Sequence, residues 1–71
     1  MELKYERVSE NFIVVSKGTL PIAVIDLSES VATNEVTVST SVLLPCDKEN
    51  DLIEKWVRTY FGKDLDVYFY G

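Results

Sequence analysis

The strongest constraint on the fold is that two neighbouring segments are apolar at nearly every position, while only one segment has the pattern of an amphipathic helix. The apolar segments, residues 12–16 and 20–27, have the length and β-branched composition of strands. An antiparallel sheet with one solvated face alternates apolar and polar residues, and these segments do not alternate. A helix about 10 Å across covers only one face of a small sheet. The second face therefore needs a different cover.

The single helix is predicted to begin at Asp47 and to end before Gly62. Asp47 follows Pro45 and Cys46, and an aspartate there can cap the free amide groups of the first turn. Gly62 is expected to adopt the left-handed conformation that ends many helices. Six apolar residues recur at helical spacing and form one stripe: Leu52, Ile53, Trp56, Val57, Tyr60 and Phe61. We predict that this stripe packs on the sheet.

Five segments have strand-like patterns, at residues 2–8, 12–16, 20–27, 36–44 and 65–70. A chain of 71 residues has room for one domain, here residues 1–71. The order of elements is βββ-β-α-β, which is the α+β class. We predict a small, mostly antiparallel sheet of four to five strands with one helix packed on one face.

Three arrangements would shield the second face of this sheet. The sheet can curl strongly and cover itself, the early hairpin can fold over as a second layer, or another chain can dock there. The run from Val36 to Cys46 carries no charge, although natural edge strands usually carry one. This run is expected to be a central strand, and the alternative is an edge that a partner extends.

The candidate binding residues follow from the lack of a cover for the second face of the sheet. In the last strand, Tyr68 and Tyr70 alternate with Val67 and Phe69, so the two tyrosines are expected on the second face. Tyrosine is enriched where protein chains meet. Together with Ile13 and Val15 from the apolar segment 12–16, Tyr68 and Tyr70 are the predicted partner-binding residues. Packing of the same side chains beneath a curled hairpin is the alternative.

The residue types present exclude most chemistry. The chain contains no histidine, which removes the most common general base and the most common metal ligand. It has one cysteine, Cys46, and neither a glycine-rich phosphate loop nor metal-binding spacing. A lone cysteine and the absence of a leader pattern favour a reducing, cytoplasmic setting. We expect no enzymatic activity, no catalytic residue, no metal and no cofactor.

The charge indicates which partners fit. Seven basic residues stand singly against twelve acidic ones, for a net charge of −5. Nucleic-acid binding requires clustered Lys and Arg, and the acidic surplus also disfavours anionic membranes. The predicted function is that of a non-enzymatic accessory protein, an adaptor or inhibitor that acts through protein–protein contact. The alternatives are a self-assembling homo-oligomer, such as a homodimer, and a small-ligand binder. Small acidic chains of this kind are frequent in phages and mobile elements, which is an association only.

Overall fold

The computed structural model describes residues 3–40 and 47–70, which form an open five-stranded sheet with one main helix on one face. The strands are β1 (Leu3–Arg7), β2 (Phe12–Lys17), β3 (Leu20–Asp26), β4 (Glu35–Thr40) and β5 (Asp66–Tyr70). The helices are α1 (Ser30–Thr33) and α2 (Asp47–Phe61). The predicted α+β class and the mostly antiparallel sheet under one main helix are confirmed.

The strands follow one another across the sheet in chain order, from β1 to β5. The first four form an antiparallel meander, and β5 pairs with β4 in parallel because α2 crosses over the sheet between them. β4 therefore lies inside the sheet, as expected for a strand without charge after Glu35. The predicted continuation of this strand to residue 44, and Cys46, lie outside the described residues.

A bulge explains why β3 does not alternate. The register between β2 and β3 shifts after Val15, which pairs with Ala23, while Ser16 pairs with Pro21. The intervening residue, Ile22, has no partner on β2, and both Ile22 and Ala23 are buried. Much of the apolar run in residues 20–27 thus reflects an extra core residue rather than a second buried face.

The core is one layer between α2 and the sheet. The buried residues are Ile13, Val15, Ile22, Ala23, Ile25, Leu27, Val36, Val38, Ile53, Val57 and Leu65. From α2 only Ile53 and Val57 are fully buried, and Trp56 is half-buried. The predicted stripe is therefore wider than the buried one: Tyr60, expected in the core, is 67% exposed, because the helix turns this edge of its apolar face away from the sheet.

The end of α2 is fixed by hydrogen bonds to the loop and to the residue before β5. The Gly62 amide donates to the Arg58 carbonyl at 3.2 Å, and Arg58 Nε donates to the Leu65 carbonyl at 3.2 Å. Gly62 has φ of 156°, so the expected left-handed helical conformation is wrong, although a positive φ of this kind still favours glycine. The capping role predicted for the Asp47 side chain lies outside the described part of the chain.

The short helix α1 was not expected, because its Ser- and Asn-rich surroundings indicated only a turn. Asn34 ends it in the left-handed conformation, with φ of 59°, and donates its amide to the Ser30 carbonyl at 3.2 Å. The Asn34 carbonyl in turn accepts from the Asp66 amide at 2.8 Å. This turn therefore joins the start of β4 to the start of β5.

Neighbouring residues of α2 allow a direct test of this packing. Ile53 is 1% exposed and Leu52 is 49% exposed. We expect Ile53→Ala to lower the free energy of unfolding by about 2–5 kcal/mol, because it leaves a cavity under the helix. Leu52→Ala, which removes a similar apolar group from the surface, should cost much less. Urea denaturation of both variants checks this, and equal losses would contradict the observed orientation of α2.

Candidate protein-binding surface

The face of the sheet that points away from α2, here called the open face, carries one side chain from every second residue of each strand. Strand pairing places one row of five side chains across all five strands: Glu6, Val14, Val24, Ser39 and Tyr70. A second row crosses four strands: Phe12, Asp26, Thr37 and Tyr68. The two rows form one continuous surface that mixes apolar and polar groups.

Apolar and aromatic side chains remain accessible on the open face. Phe12 is 41% exposed, Val24 37%, Tyr68 45% and Tyr70 60%. The hairpin of β1 and β2 stays within the sheet rather than folding over it. Within residues 3–40 and 47–70, therefore, neither a closed, curled sheet nor a second layer covers these side chains. Isolated exposed apolar residues are ordinary, but here four lie on one sheet face, in two pairs that the polar open-face residues of β4 separate.

The structure separates the four residues that were predicted to bind a partner. Tyr68 and Tyr70 lie on the open face. Ile13 and Val15 lie on the other face and are 2% and 0% exposed, so they belong to the core beneath α2 and not to this surface. Both faces of residues 12–16 are apolar, and this left the orientation of β2 ambiguous in the sequence.

Three open-face residues were missed by the choice of Ile13 and Val15: Phe12, Val14 and Val24. Phe12 pairs with Asp26 on β3, and Asp26 pairs with Thr37 on β4. The open face is thus identified by the polar residues that lie opposite its apolar side chains on the neighbouring strands. This pattern becomes readable only when the register between strands is known.

The open face also carries charged side chains, and most of them are acidic. Glu6, Asp26 and Asp66 lie on the open face, and the basic residue Lys4 lies on the same face. Asp26 already accepts a hydrogen bond from the Ser28 amide at 2.9 Å. The open face therefore combines exposed apolar and aromatic side chains with a net negative charge.

A groove lies between α2 and β1. Its volume is about 400 Å³, and it is lined by Leu3, Tyr5, Leu52, Lys55, Trp56, Thr59 and Tyr60. The rings of Tyr5 and Trp56 stack with 4.1 Å between centroids and 1° between planes. Burial raises the pKa of the Tyr5 phenol above its usual value of 10.0. The groove offers aromatic contact area but few polar groups that would orient a ligand.

Within the described ranges, no group of three or more Cys, Asp or Glu side chains is placed to hold a metal ion. No described helix combines the length and the apolar character needed to cross a bilayer. Comparison with known proteins found no matching family model, no similar curated protein and no similar solved structure.

The partly buried phenol of Tyr5 predicts a pH effect. Because its pKa is raised in the folded state, the unfolded chain ionises first as the pH rises above 10. The contribution of Tyr5 is fully present below that pH and is lost as the pH rises through the folded-state pKa. We expect the unfolding free energy to fall less steeply in Tyr5→Phe than in wild type between neutral pH and about pH 11. Urea titrations measure this, with the exposed Tyr60→Phe as control; parallel slopes for wild type and Tyr5→Phe would contradict it.

Proposed function

We propose that this chain is a non-enzymatic accessory protein that binds another protein through its open face. The observation that supports the proposal most strongly is the exposure of Phe12, Val24, Tyr68 and Tyr70 together on one side of a sheet whose other side is already packed under α2. Aromatic side chains supply large contact area at low entropic cost, and tyrosine is favoured at such contacts because its hydroxyl tolerates partial hydration.

The charges on the open face indicate what kind of partner it suits. Acidic Glu6, Asp26 and Asp66 outnumber Lys4 on the open face, and the whole chain carries −5. A protein surface that combines apolar and basic groups complements the open face, and opposite potentials speed association. Nucleic acid and anionic membranes fit it less well, since both are anionic.

Two alternatives have separate support. The groove at Tyr5 and Trp56 favours a small aromatic or apolar ligand, although few polar groups line it. Self-assembly as a homo-oligomer is supported by the outer edge of β5, with which no strand of the described residues pairs. The lone Cys46 supports a reducing, cytoplasmic location for each of these functions.

A pair of tyrosine variants tests the proposal. Immobilised wild-type protein is incubated with a lysate of the cells that express it, and the captured proteins are compared with those captured by a variant carrying Tyr68→Ser and Tyr70→Ser. We expect at least one captured protein to be reduced about tenfold or more, because two aromatic contacts are lost. Its capture should also weaken as salt increases, since salt screens the acidic side chains of the open face.

The matched control is Tyr60→Ser, which removes a tyrosine that is at least as exposed, but from α2 rather than from the open face. Capture should remain unchanged in this variant. If every captured protein binds the Tyr68/Tyr70 double variant as well as wild type, the open face is not the binding surface and the proposal is wrong. Loss of capture in Tyr60→Ser alone would instead favour the groove between α2 and β1.

A further inference from the structure

The two edges of the sheet differ in how they are protected from other chains. β1 carries Lys4, Glu6 and Arg7 within its five residues, and charges of this kind block pairing with a foreign strand. β5 has the sequence DVYFY, so Asp66 is its only charged residue, and it contains no proline. Among the described residues, β4 is the only strand that pairs with β5. The outer edge of β5 is therefore the unprotected one.

The hydrogen bonds of β5 show which backbone groups face outward. The Asp66 amide donates to the Asn34 carbonyl at 2.8 Å, and the Tyr70 carbonyl accepts from the Thr40 hydroxyl at 3.1 Å. Residues 66, 68 and 70 therefore direct their backbone groups toward β4. Because successive residues of a strand direct these groups to opposite sides, Val67 and Phe69 present theirs at the free edge.

We propose that β5 pairs with β5 of a second copy in antiparallel orientation, with the two-fold axis at Tyr68. This dimer goes beyond the proposed binding function and does not depend on it. Centring the pair on Tyr68 matches all five residues of the strand, and Val67 of each copy lies opposite Phe69 of the other. The outward backbone groups of these residues then form about four hydrogen bonds.

The side chains fit this register. Tyr68 lies directly opposite its counterpart, and an aromatic pair at that position stabilises a sheet. Asp66 lies opposite Tyr70 of the second copy, so the only charge on each strand is kept away from its own counterpart. The exposed parts of Val67 and Phe69, which are half-buried against the core, gain cover on the helix side. The two open faces become continuous, with Tyr68 and Tyr70 of both copies adjacent.

β5 of a second copy is a better occupant of this edge than β1 of a second copy. Pairing of β5 with β1 of another copy is heterologous and would continue into an open filament, and the charges of β1 oppose it. Pairing of β5 with β5 of a second copy covers the outer edges of both strands at once and closes as a dimer. The ten-stranded sheet that results keeps the charged β1 strands at its outer edges.

Charge substitutions at the two-fold axis test the dimer and its register. Sedimentation velocity is measured over about a hundredfold range of concentration, since dimer formation depends on concentration. Wild type should shift from monomer to dimer. Tyr68→Lys and Tyr68→Glu each place like charges opposite one another, and we expect each to weaken the dimer about tenfold or more. An equimolar mixture of the two variants should restore the dimer, because Lys then lies opposite Glu.

Two control variants locate the contact. Tyr70→Lys places a new charge opposite Asp66 of the second copy, and this variant should dimerise at least as well as wild type. Val24→Lys alters the centre of the open face, so it should lose partner capture but keep the dimer. Far-ultraviolet circular dichroism and the fluorescence of Trp56 establish that each variant is folded.

Each contrary result overturns the dimer. A wild type that stays monomeric at every concentration excludes it, as does a mixture of Tyr68→Lys and Tyr68→Glu that fails to associate. A dimer that is lost in Val24→Lys is held through the open face rather than through β5. Because capture of another protein is measured separately, either proposal can fail while the other stands.

Discussion

The structure depends on the packing of a narrow strip of α2, centred on Ile53 and Val57, against one side of the sheet. These two side chains are fully buried, and they close the core formed by β2, β3 and β4. With one main helix in the described part of the chain, the apolar material on the other side of the sheet has no intramolecular cover. Phe12, Val24 and the two tyrosines of β5 are exposed because the main helix covers only one face of the sheet.

The elements whose signals are local in sequence were predictable. The spacing of the apolar residues between Asp47 and Gly62 indicated a helix, and the observed α2 has those bounds. The separation between turn-forming residues located all five strands to within a few residues. The position of β4 between β3 and β5 also agrees with its charge-free character, which is typical of a strand inside a sheet.

Features that depend on the register between strands were not predictable. The segment at residues 20–27 looked apolar on both sides because Ile22 is an extra residue in a bulge, and sequence alternation cannot reveal such an insertion. The same uncertainty led to the choice of Ile13 and Val15, which differ from Phe12 and Val14 only by which face they occupy. Tyr68 and Tyr70 were assigned to the second face because they alternate with Val67 and Phe69, which belong with the core.

The parallel pair of β4 and β5 also affects the chain before it has folded completely. Until the last strand has docked, the outer side of β4 is an exposed edge on which the stretch from Val36 to Thr40 carries no charge. Such an edge is a template for aggregation during synthesis and refolding. Docking of β5 covers it and leaves a five-residue strand as the new boundary. Truncation within the last strand should therefore promote aggregation more than its small share of the core suggests.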